Sequence, residues 1–279
     1  MKQFRKMTYP YVLWISIMII VPMLMIFLYA ITKEGNSVVN FNFTLENFGK
    51  FFSDSVFIEV LGRSLRIAAI TTVLCMVLGY IPAYYIAKCS DGVKMKWVLV
   101  ITFPTWINML VRTYAWIGIL QKDGIINTIL GFVGIEPFDM IYTEFAVILG
   151  MVYNFIPFMI LQIYTSLSKM DNSLIEAAED LGANRFKCFW RVTFPLSLPG
   201  VISGITLVFL PAVSSFCIPK LLGGGQQVLV GNLIESQFLT SGDWNFGSAI
   251  SLIMAIIIMI SMYITKKVDK TEIGERTAA

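Results

Sequence analysis

The sequence contains no histidine, and this absence excludes a large part of catalytic and metal chemistry. Histidine changes charge near neutral pH, so it is a frequent general base and the commonest metal ligand. Four cysteines are present, but none forms the Cys-x-x-Cys spacing that would indicate a zinc or redox site. We therefore expect no catalytic residue and no metal site, and the residues give no support to a membrane-embedded enzyme.

Charge is also scarce. Charged residues make up 14% of the chain, against about a quarter in a typical soluble domain. The net charge of +3 is too small to favour nucleic acid as a partner. No Gly-x-x-x-x-Gly-Lys-Ser/Thr loop occurs, although such a loop is the usual cradle for nucleotide phosphates. We expect this chain to hold neither ATP nor magnesium.

Long apolar runs dominate what remains, with 57% apolar residues spread from end to end. A helix needs roughly 20 residues to cross the hydrocarbon core of a membrane. The first run lacks a small-residue cleavage site, so it is expected to be an anchor and not a removed signal peptide. The sequence predicts one all-α transmembrane domain over 1–279, with six spans at about 9–31, 65–87, 97–120, 145–167, 200–221 and 247–265.

The connections between the spans differ in character. Residues 32–64 form a polar connection with an amphipathic piece over 43–60, and residues 125–133 are predicted to form a surface helix. Residues 222–246 are interpreted as a glycine-rich connection.

Lysine and arginine are unevenly distributed among these connections. The two tails and the loops 88–96 and 168–199 hold fourteen of the 21. Short cytoplasmic loops are enriched in lysine and arginine. Both termini and the loop 168–199 are therefore predicted to lie in the cytoplasm.

The loop 168–199 is predicted to contain two short helices. Asn172 or Ser173 can cap the first helix, and Glu176 stands at capping-box spacing from Ser173. Gly182 is expected to end that helix, because glycine tolerates the backbone conformations found at helix ends. One apolar face is formed by Leu174, Ala177, Ala178 and Leu181.

The second helix is predicted over Asn184–Val192 and carries three basic residues, Arg185, Lys187 and Arg191. Pro195 and Pro199 follow it. Proline lacks an amide donor and clashes with the preceding turn, so we expect no continuous helix into the next span.

This loop resembles the cytoplasmic EAA loop of ABC-type importer permeases. The residues that carry the resemblance, at fixed offsets, are Glu176, Ala177, Ala178, Gly182, Phe189, Val192, Pro195 and Pro199. The resemblance implies the type I importer fold, in which a permease pair works with a cytoplasmic ATPase dimer and an external solute-binding protein. ATP and magnesium would be bound by the ATPase subunits, and transport would proceed by alternating access. The residues implied in ATPase coupling are Glu176, Ala177, Ala178, Leu181, Gly182 and Arg185.

A narrower resemblance concerns the cargo. Three stretches, 104–114, 209–216 and 230–247, are similar to the B-type permease subunit of spermidine/putrescine importers. That likeness implies a C-type permease partner, a polyamine-binding protein and the bacterial inner membrane as location. A polycation is attracted by aromatic faces and carboxylates. The expected pathway residues are Trp106, Asn108, Tyr114, Tyr153, Asn154, Phe216, Glu235, Asp243 and Trp244.

Other interpretations remain open from the sequence. Aromatic residues near span ends are commonly membrane anchors, and those inside spans commonly pack. Arg112 would repel a polyamine, so we expect it to pair with a carboxylate instead of touching cargo. A related permease for iron, sulfate or thiamine is one alternative. An ion-driven secondary transporter is another, although such carriers commonly show inverted repeats and none is evident here.

Overall fold

The computed structural model describes the backbone of residues 2–33, 42–171 and 173–277, and the side chains of residues 8–33, 42–171, 173–265 and 267. Within these ranges the regular secondary structure is helical, apart from one isolated β-bridge between Thr32 and Phe43. The α-helices are α1 Lys2–Ala30, α2 Glu46–Ser53, α3 Ser55–Ala87, α4 Asp91–Trp106, α5 Met109–Leu120, α6 Ile125–Phe132, α7 Glu144–Ser168, α8 Ser173–Asp180, α9 Arg185–Cys188, α10 Phe194–Val213, α11 Cys217–Leu222, α12 Val230–Ser236 and α13 Trp244–Thr277. Two π-helical segments, Phe189–Thr193 and Gln237–Ser241, precede α10 and follow α12.

Five helices in the described residues are long and apolar enough to cross a membrane, and α4 with α5–α6 forms a bent pair that could count as a sixth. The helix that contains the second predicted span is longer than that span. Helix α3 begins at Ser55 and not near residue 65, because Asp54 Oδ1 accepts a hydrogen bond from the Val56 amide at 2.9 Å and caps the helix.

The predicted third span, 97–120, is not one straight helix. It bends by 89° between Trp106 and Met109. Ile107 is extended, and the Asn108 side chain accepts a hydrogen bond from the Leu110 amide at 2.8 Å, so a new helix starts there. The apolar run hides the bend because both halves are equally apolar.

The last two predicted spans and their connection also need correction. The helix of the fifth span ends at Val213 and is followed by the separate helix α11, instead of running to residue 221. The connection 222–246 is partly helical, containing α12 and the second π-segment. Helix α13 begins at Trp244, three residues before the predicted start at 247, because Asp243 Oδ1 accepts from the Phe246 amide at 2.8 Å.

Two compact units divide the chain, and the smaller one comprises Met1–Val60 and Leu233–Met259. Inside it, two asparagines bind the end of α1, where helix carbonyls lack intrahelical donors. Asn245 Nδ2 donates to Tyr29 O at 3.0 Å and to Thr32 O at 2.9 Å, and Asn47 Nδ2 donates to Ala30 O at 3.1 Å. Phe51 is fully buried in this unit.

The larger unit comprises Leu61–Asn232 and Ile260–Ala279, and α7 is its most deeply buried long helix. Thr143 caps α7 by accepting from the Ala146 amide at 3.2 Å. Glycines permit its close packing with α10. A Cβ at Gly200 would overlap Ser166, and one at Gly204 would overlap Met159. Small residues at such contacts let helix backbones approach closely inside a membrane.

Candidate functional site

The EAA-like loop begins with a cap that differs from the prediction. Asp171 Oδ1 accepts a hydrogen bond from the Ser173 amide at 3.0 Å, so Ser173 is the first residue of α8 and not its cap. Asn172 lies outside the described residues. Because the bond stabilises the charged carboxylate, it lowers the pKa of Asp171 below the ordinary value.

Gly182 ends α8 as the sequence predicts. Its φ angle is +80°, in the left-handed region that L side chains rarely adopt. The Gly182 amide donates to Glu179 O at 2.8 Å, and the Ala183 amide donates to Ala178 O at 3.0 Å. These two bonds form a Schellman motif. A Cβ here would meet no atom within 4 Å, so the backbone conformation alone requires glycine.

The second half of the loop starts at Asn184, whose side chain accepts from the Lys187 amide at 2.9 Å. From Arg185 the helix continues without interruption to Val213, so the predicted break at Pro195 and Pro199 is wrong. The π-helical segment Phe189–Thr193 explains how the helix continues past these prolines. The Phe194 amide donates to Phe189 O, five residues back, and this wider turn accommodates the amide that Pro195 lacks.

This continuous helix is attached to α3 by a buried polar contact that sequence reasoning missed. The Tyr80 hydroxyl lies 2.8 Å from Ser197 Oγ, and Ser197 in turn donates to Phe194 O at 2.8 Å. The Phe189 ring packs against Tyr80 and Tyr84 at centroid distances of 5.6 and 5.7 Å. Ser197 is a polar residue within an apolar run, and this was the sequence signal that could have indicated the contact.

Residues 173–188, here called the hook, present apolar side chains to the outside. Leu181 is 89% exposed, Phe186 is 71% exposed and Leu174 is 46% exposed. Between α8 and the second helix lies a hollow of about 310 Å³, lined in part by Leu181, Gly182 and Arg191. Apolar residues clustered on a surface typically mark an interaction site.

The coupling residues predicted from the sequence all lie on or beside this hook. Glu176, Ala177 and Arg185 are exposed, and Ala178 is half-buried against the hollow. Acidic residues lie on α8, whereas Arg185 and Lys187 begin the second helix. The arrangement offers apolar contact flanked by charges of both signs.

Comparison with known proteins identifies the family to which this chain belongs. The family described as "Binding-protein-dependent transport system inner membrane component" matches residues 4–271. The chain belongs to this family. A spermidine/putrescine transport system permease protein, PotB, of Haemophilus influenzae is 37% identical over 272 residues, covering 96% of this chain and 95% of that protein. PotB of Escherichia coli K12 is 37% identical over 254 residues, covering 90% and 92%.

Solved structures agree on the fold. A bacterial ABC transporter involved in the import of the acidic polysaccharide alginate matches with a TM-score of 0.81 at 16% identity, covering 96% of this permease chain and 95% of that chain. The MetNI methionine ABC transporter matches with a TM-score of 0.57 at 14% identity, covering 77% and 95%. The predicted all-α importer-permease fold is confirmed.

The pathway residues predicted in the larger unit of the permease have mixed environments. Trp106 is 71% exposed at the bend, Tyr114 is exposed on α5, and Asn108 is occupied as the helix cap. Asn154 is buried, and its Nδ2 donates to Gly150 O at 2.8 Å, whereas its Oδ1 has no partner within the described chain. Phe216 is half-exposed between α10 and α11.

Tyr153 of α7 is brought together with Trp116, an aromatic residue of α5. Its ring packs edge-on against Trp116 at 5.4 Å, and both line a cavity of about 300 Å³ that also contains Arg112. The expected carboxylate partner for Arg112 is not found in the described part of the chain, where Arg112 Nε and Nη1 are buried without a hydrogen-bond partner.

The predicted residues near α13 have structural contacts in the smaller unit. Asp243 caps α13 and lies 3.8 Å from Lys50 Nζ. Trp244 packs against Phe238 and Tyr29 at 5.4 and 6.2 Å. Glu235 lies in α12. Of these predicted pathway residues, Asp243 and Trp244 are thus already engaged within the chain.

Proposed function

We propose that this chain is a permease subunit of an ATP-driven importer that moves polyamines such as spermidine and putrescine inward. The observation that carries the cargo is the 37% identity over 96% of the chain to a permease named for spermidine and putrescine. Membership of the binding-protein-dependent family supports a solute-binding protein as a partner, and the identity to PotB suggests that this protein binds polyamines.

The hook is the part of the chain that binds the ATPase. Its exposed leucines and phenylalanine gain from burial in a protein cleft, since transfer of apolar surface from water is favourable. Glu176 and Arg185 flank that apolar surface and can form charge-assisted hydrogen bonds at the rim of the cleft. ATP and magnesium are held by a dimer of ATPase subunits, and this chain is not itself an enzyme.

The orientation that fits this role places both termini and the hook in the cytoplasm. The support is the concentration of lysine and arginine in the tails and in the loops 88–96 and 168–199. Labelling of Cys188 from outside intact cells would contradict this orientation. Because Cys188 is buried, Phe186→Cys in a variant lacking the native cysteines is the better probe, and Phe186 is exposed.

The cargo passes residues of the larger unit that offer aromatic faces and amide oxygens. Trp106, Tyr114, Tyr153 and Phe216 supply aromatic faces for ammonium groups and methylenes, and Asn154 has an unpaired amide oxygen. Glu235, Asp243 and Trp244 are assigned to the outer side, where cations would arrive from the binding protein. Asp243 contributes there only if its contact with Lys50 opens.

Reconstitution tests the proposal directly. The permease, its C-type partner, the ATPase dimer and the polyamine-binding protein are assembled in proteoliposomes, and uptake of labelled spermidine is measured with ATP inside the compartment that represents the cytoplasm. Unlabelled putrescine should compete, whereas iron, sulfate and thiamine should not. Uptake that needs an ion gradient and no ATP would instead support a secondary transporter.

A variant of the hook tests coupling to the ATPase independently of cargo recognition. Gly182→Arg should leave the chain folded and inserted, because a side chain meets no atom within 4 Å and the strain at φ +80° is confined to the hook, yet abolish transport and transport-linked ATP hydrolysis. Gly92→Arg is a control, because Gly92 also has no atom within 4 Å of a Cβ and lies in the first turn of α4, outside the hook. Normal uptake by Gly182→Arg would remove the coupling role of the hook.

A further inference from the structure

Arg112 is a half-buried cation for which the described chain shows no counter-charge. Its Nε and Nη1 atoms are shielded from solvent and form no hydrogen bond. The side chain lies in a cavity of about 300 Å³ whose walls include Val111, Trp116 and Tyr153. Ionisable residues inside membrane spans are costly unless paired, and they mark functional contacts.

The cavity adjoins the inner part of a candidate membrane span, away from both helix ends. It is shared by Tyr153 of α7, and α7 is a candidate span of 25 residues. At 1.5 Å per residue, that helix is about 37 Å long and Tyr153 lies about 14 Å from its first residue. Lipid phosphates lie at the membrane surface, well away from this depth. A headgroup is therefore a poor partner for Arg112.

The transported cargo is also a poor partner for Arg112. Under the proposed function it is a polycation, and like charges at close range in a low-dielectric site repel strongly. The exposed side chains around the cavity, among them Ile107 at the bend and Val111 on α5, form an apolar surface. Such a surface with one unpaired guanidinium fits a protein helix that carries a carboxylate.

A second copy of this chain cannot supply that carboxylate from a membrane span. No Asp or Glu occurs in the apolar stretches 8–30, 67–87, 97–120, 145–168, 194–213 or 244–265. All carboxylates of the sequence lie outside these stretches. Glu144, for example, begins α7 and pairs with Arg66.

We propose that Arg112 binds an Asp or Glu from within a membrane span of a different permease subunit, and that this pair specifies a heteromeric and not a homomeric permease pair. The inference rests on the proposed function, because it requires a second permease subunit. The fork of the guanidinium suits bidentate binding of a carboxylate, which gives specificity as well as attraction.

Zero-length cross-linking of the full importer complex tests the contact. In an Arg112→Lys variant, a membrane-permeant carbodiimide activates the facing carboxylate as an O-acylisourea. The lysine amine then attacks it, an amide bond forms and the reagent leaves as a urea. We expect mass spectrometry to identify a peptide joined to an Asp or Glu of the second permease. Arg66→Lys is the matched control and should join to Glu144 of the same chain.

A product in the control but none in Arg112→Lys would overturn the proposal, as would a product within this chain, with a second copy or with the binding protein. Assembly provides a second measurement that does not depend on the lysine. Arg112→Glu should lower co-purification of the second permease at least tenfold, whereas Arg112→Lys should retain most of it. The amount of Arg112→Glu chain inserted in membranes when it is expressed alone should be unchanged.

A further outcome is that Arg112→Glu lowers the amount of inserted chain expressed alone as much as it lowers co-purification. That result would indicate a role of Arg112 in folding and would also overturn the inference. A different result would contradict the proposed function. If the wild-type chain co-purifies with no second permease and no ATPase, the importer assignment is wrong. If the wild type assembles and Arg112→Glu assembles equally well, only the assignment of Arg112 is wrong.

Discussion

Replacing Gly182 by alanine tests whether the shape of the hook determines ATPase binding. Gly182 has a φ angle of +80°, and its Schellman motif holds α8 at an angle to the second helix. A Cβ would meet no neighbour within 4 Å. The substitution therefore changes the backbone preference at the bend without creating a clash.

The expected size of the effect follows from the backbone alone. An L residue in the left-handed region costs roughly 1–2 kcal/mol relative to its right-handed alternative. Helix α8 has only eight residues, fewer than the roughly 12–15 that an isolated helix needs, so it depends on its caps. If the ATPase binds only the capped hook, the apparent affinity falls with the population of that state. A cost of one or two kcal/mol corresponds to a factor of about 5–30.

The assay titrates isolated ATPase subunits onto the permease pair in nanodiscs and measures both binding and cargo-stimulated ATP hydrolysis. Gly182→Ala should raise the half-saturating ATPase concentration by about 5–30-fold. Gly182→Asn should raise it less, because asparagine visits the left-handed region more readily.

Gly134→Ala is the matched control. Gly134 has a φ of +83° and no atom within 4 Å of a Cβ, and it follows α6 in a connection remote in sequence from the hook. It carries the same strain and should leave ATPase affinity unchanged. The reasoning is refuted if Gly182→Ala binds like the wild type, or if Gly134→Ala weakens binding to the same extent.

Three further predictions concern the hook and its attachment. Leu181→Ser should change the free energy of unfolding by less than about 0.5 kcal/mol, since the side chain is 89% exposed, but should abolish cargo-stimulated ATP hydrolysis. Ser197→Ala leaves the buried Tyr80 hydroxyl without its partner and should cost about 1–3 kcal/mol in thermal unfolding, more than Tyr80→Phe does. Because the pKa of Asp171 is lowered in the folded state, its bond to the Ser173 amide is fully present above the ordinary aspartate pKa and is lost as the pH falls through the lowered value. Protection of the Ser173 amide from hydrogen exchange should fall over that acidic range in the wild type and be low at every pH in Asp171→Ala, which has no side-chain acceptor.

Features governed by short-range rules could be predicted from the sequence. The end of α8 at Gly182 and the surface helix near residues 125–132 follow from glycine placement and apolar spacing. The core of α7 follows from the length of its apolar run. In each case the residues that decide the structure are neighbours in the chain.

The remaining features depend on choices that local rules do not express. Pro195 forbids an ordinary helical bond but not a π turn, so the rule that predicted a break considered only one hydrogen-bond pattern. At Asn108 the same apolar run contains two helices, and only the polar cap indicates the boundary. The environment of Arg112 depends on tertiary packing and could not be read from spacing.

The continuous helix from Arg185 to Val213 changes how motion of the hook would reach the membrane. A loop at Pro195 would have absorbed a displacement, whereas an unbroken helix passes it on as rigid-body tilting. Its contact with Tyr80 is at Ser197, about 18 Å along the axis from Arg185 and about 24 Å from Val213 at 1.5 Å per residue. A rigid rod that pivots at this contact would convert a movement of about 3 Å at Arg185 into one of about 4 Å at Val213. That end adjoins the break before α11 and the predicted pathway residue Phe216. Loosening the pivot with Ser197→Ala should therefore reduce the transport obtained per ATP more than it reduces ATPase binding.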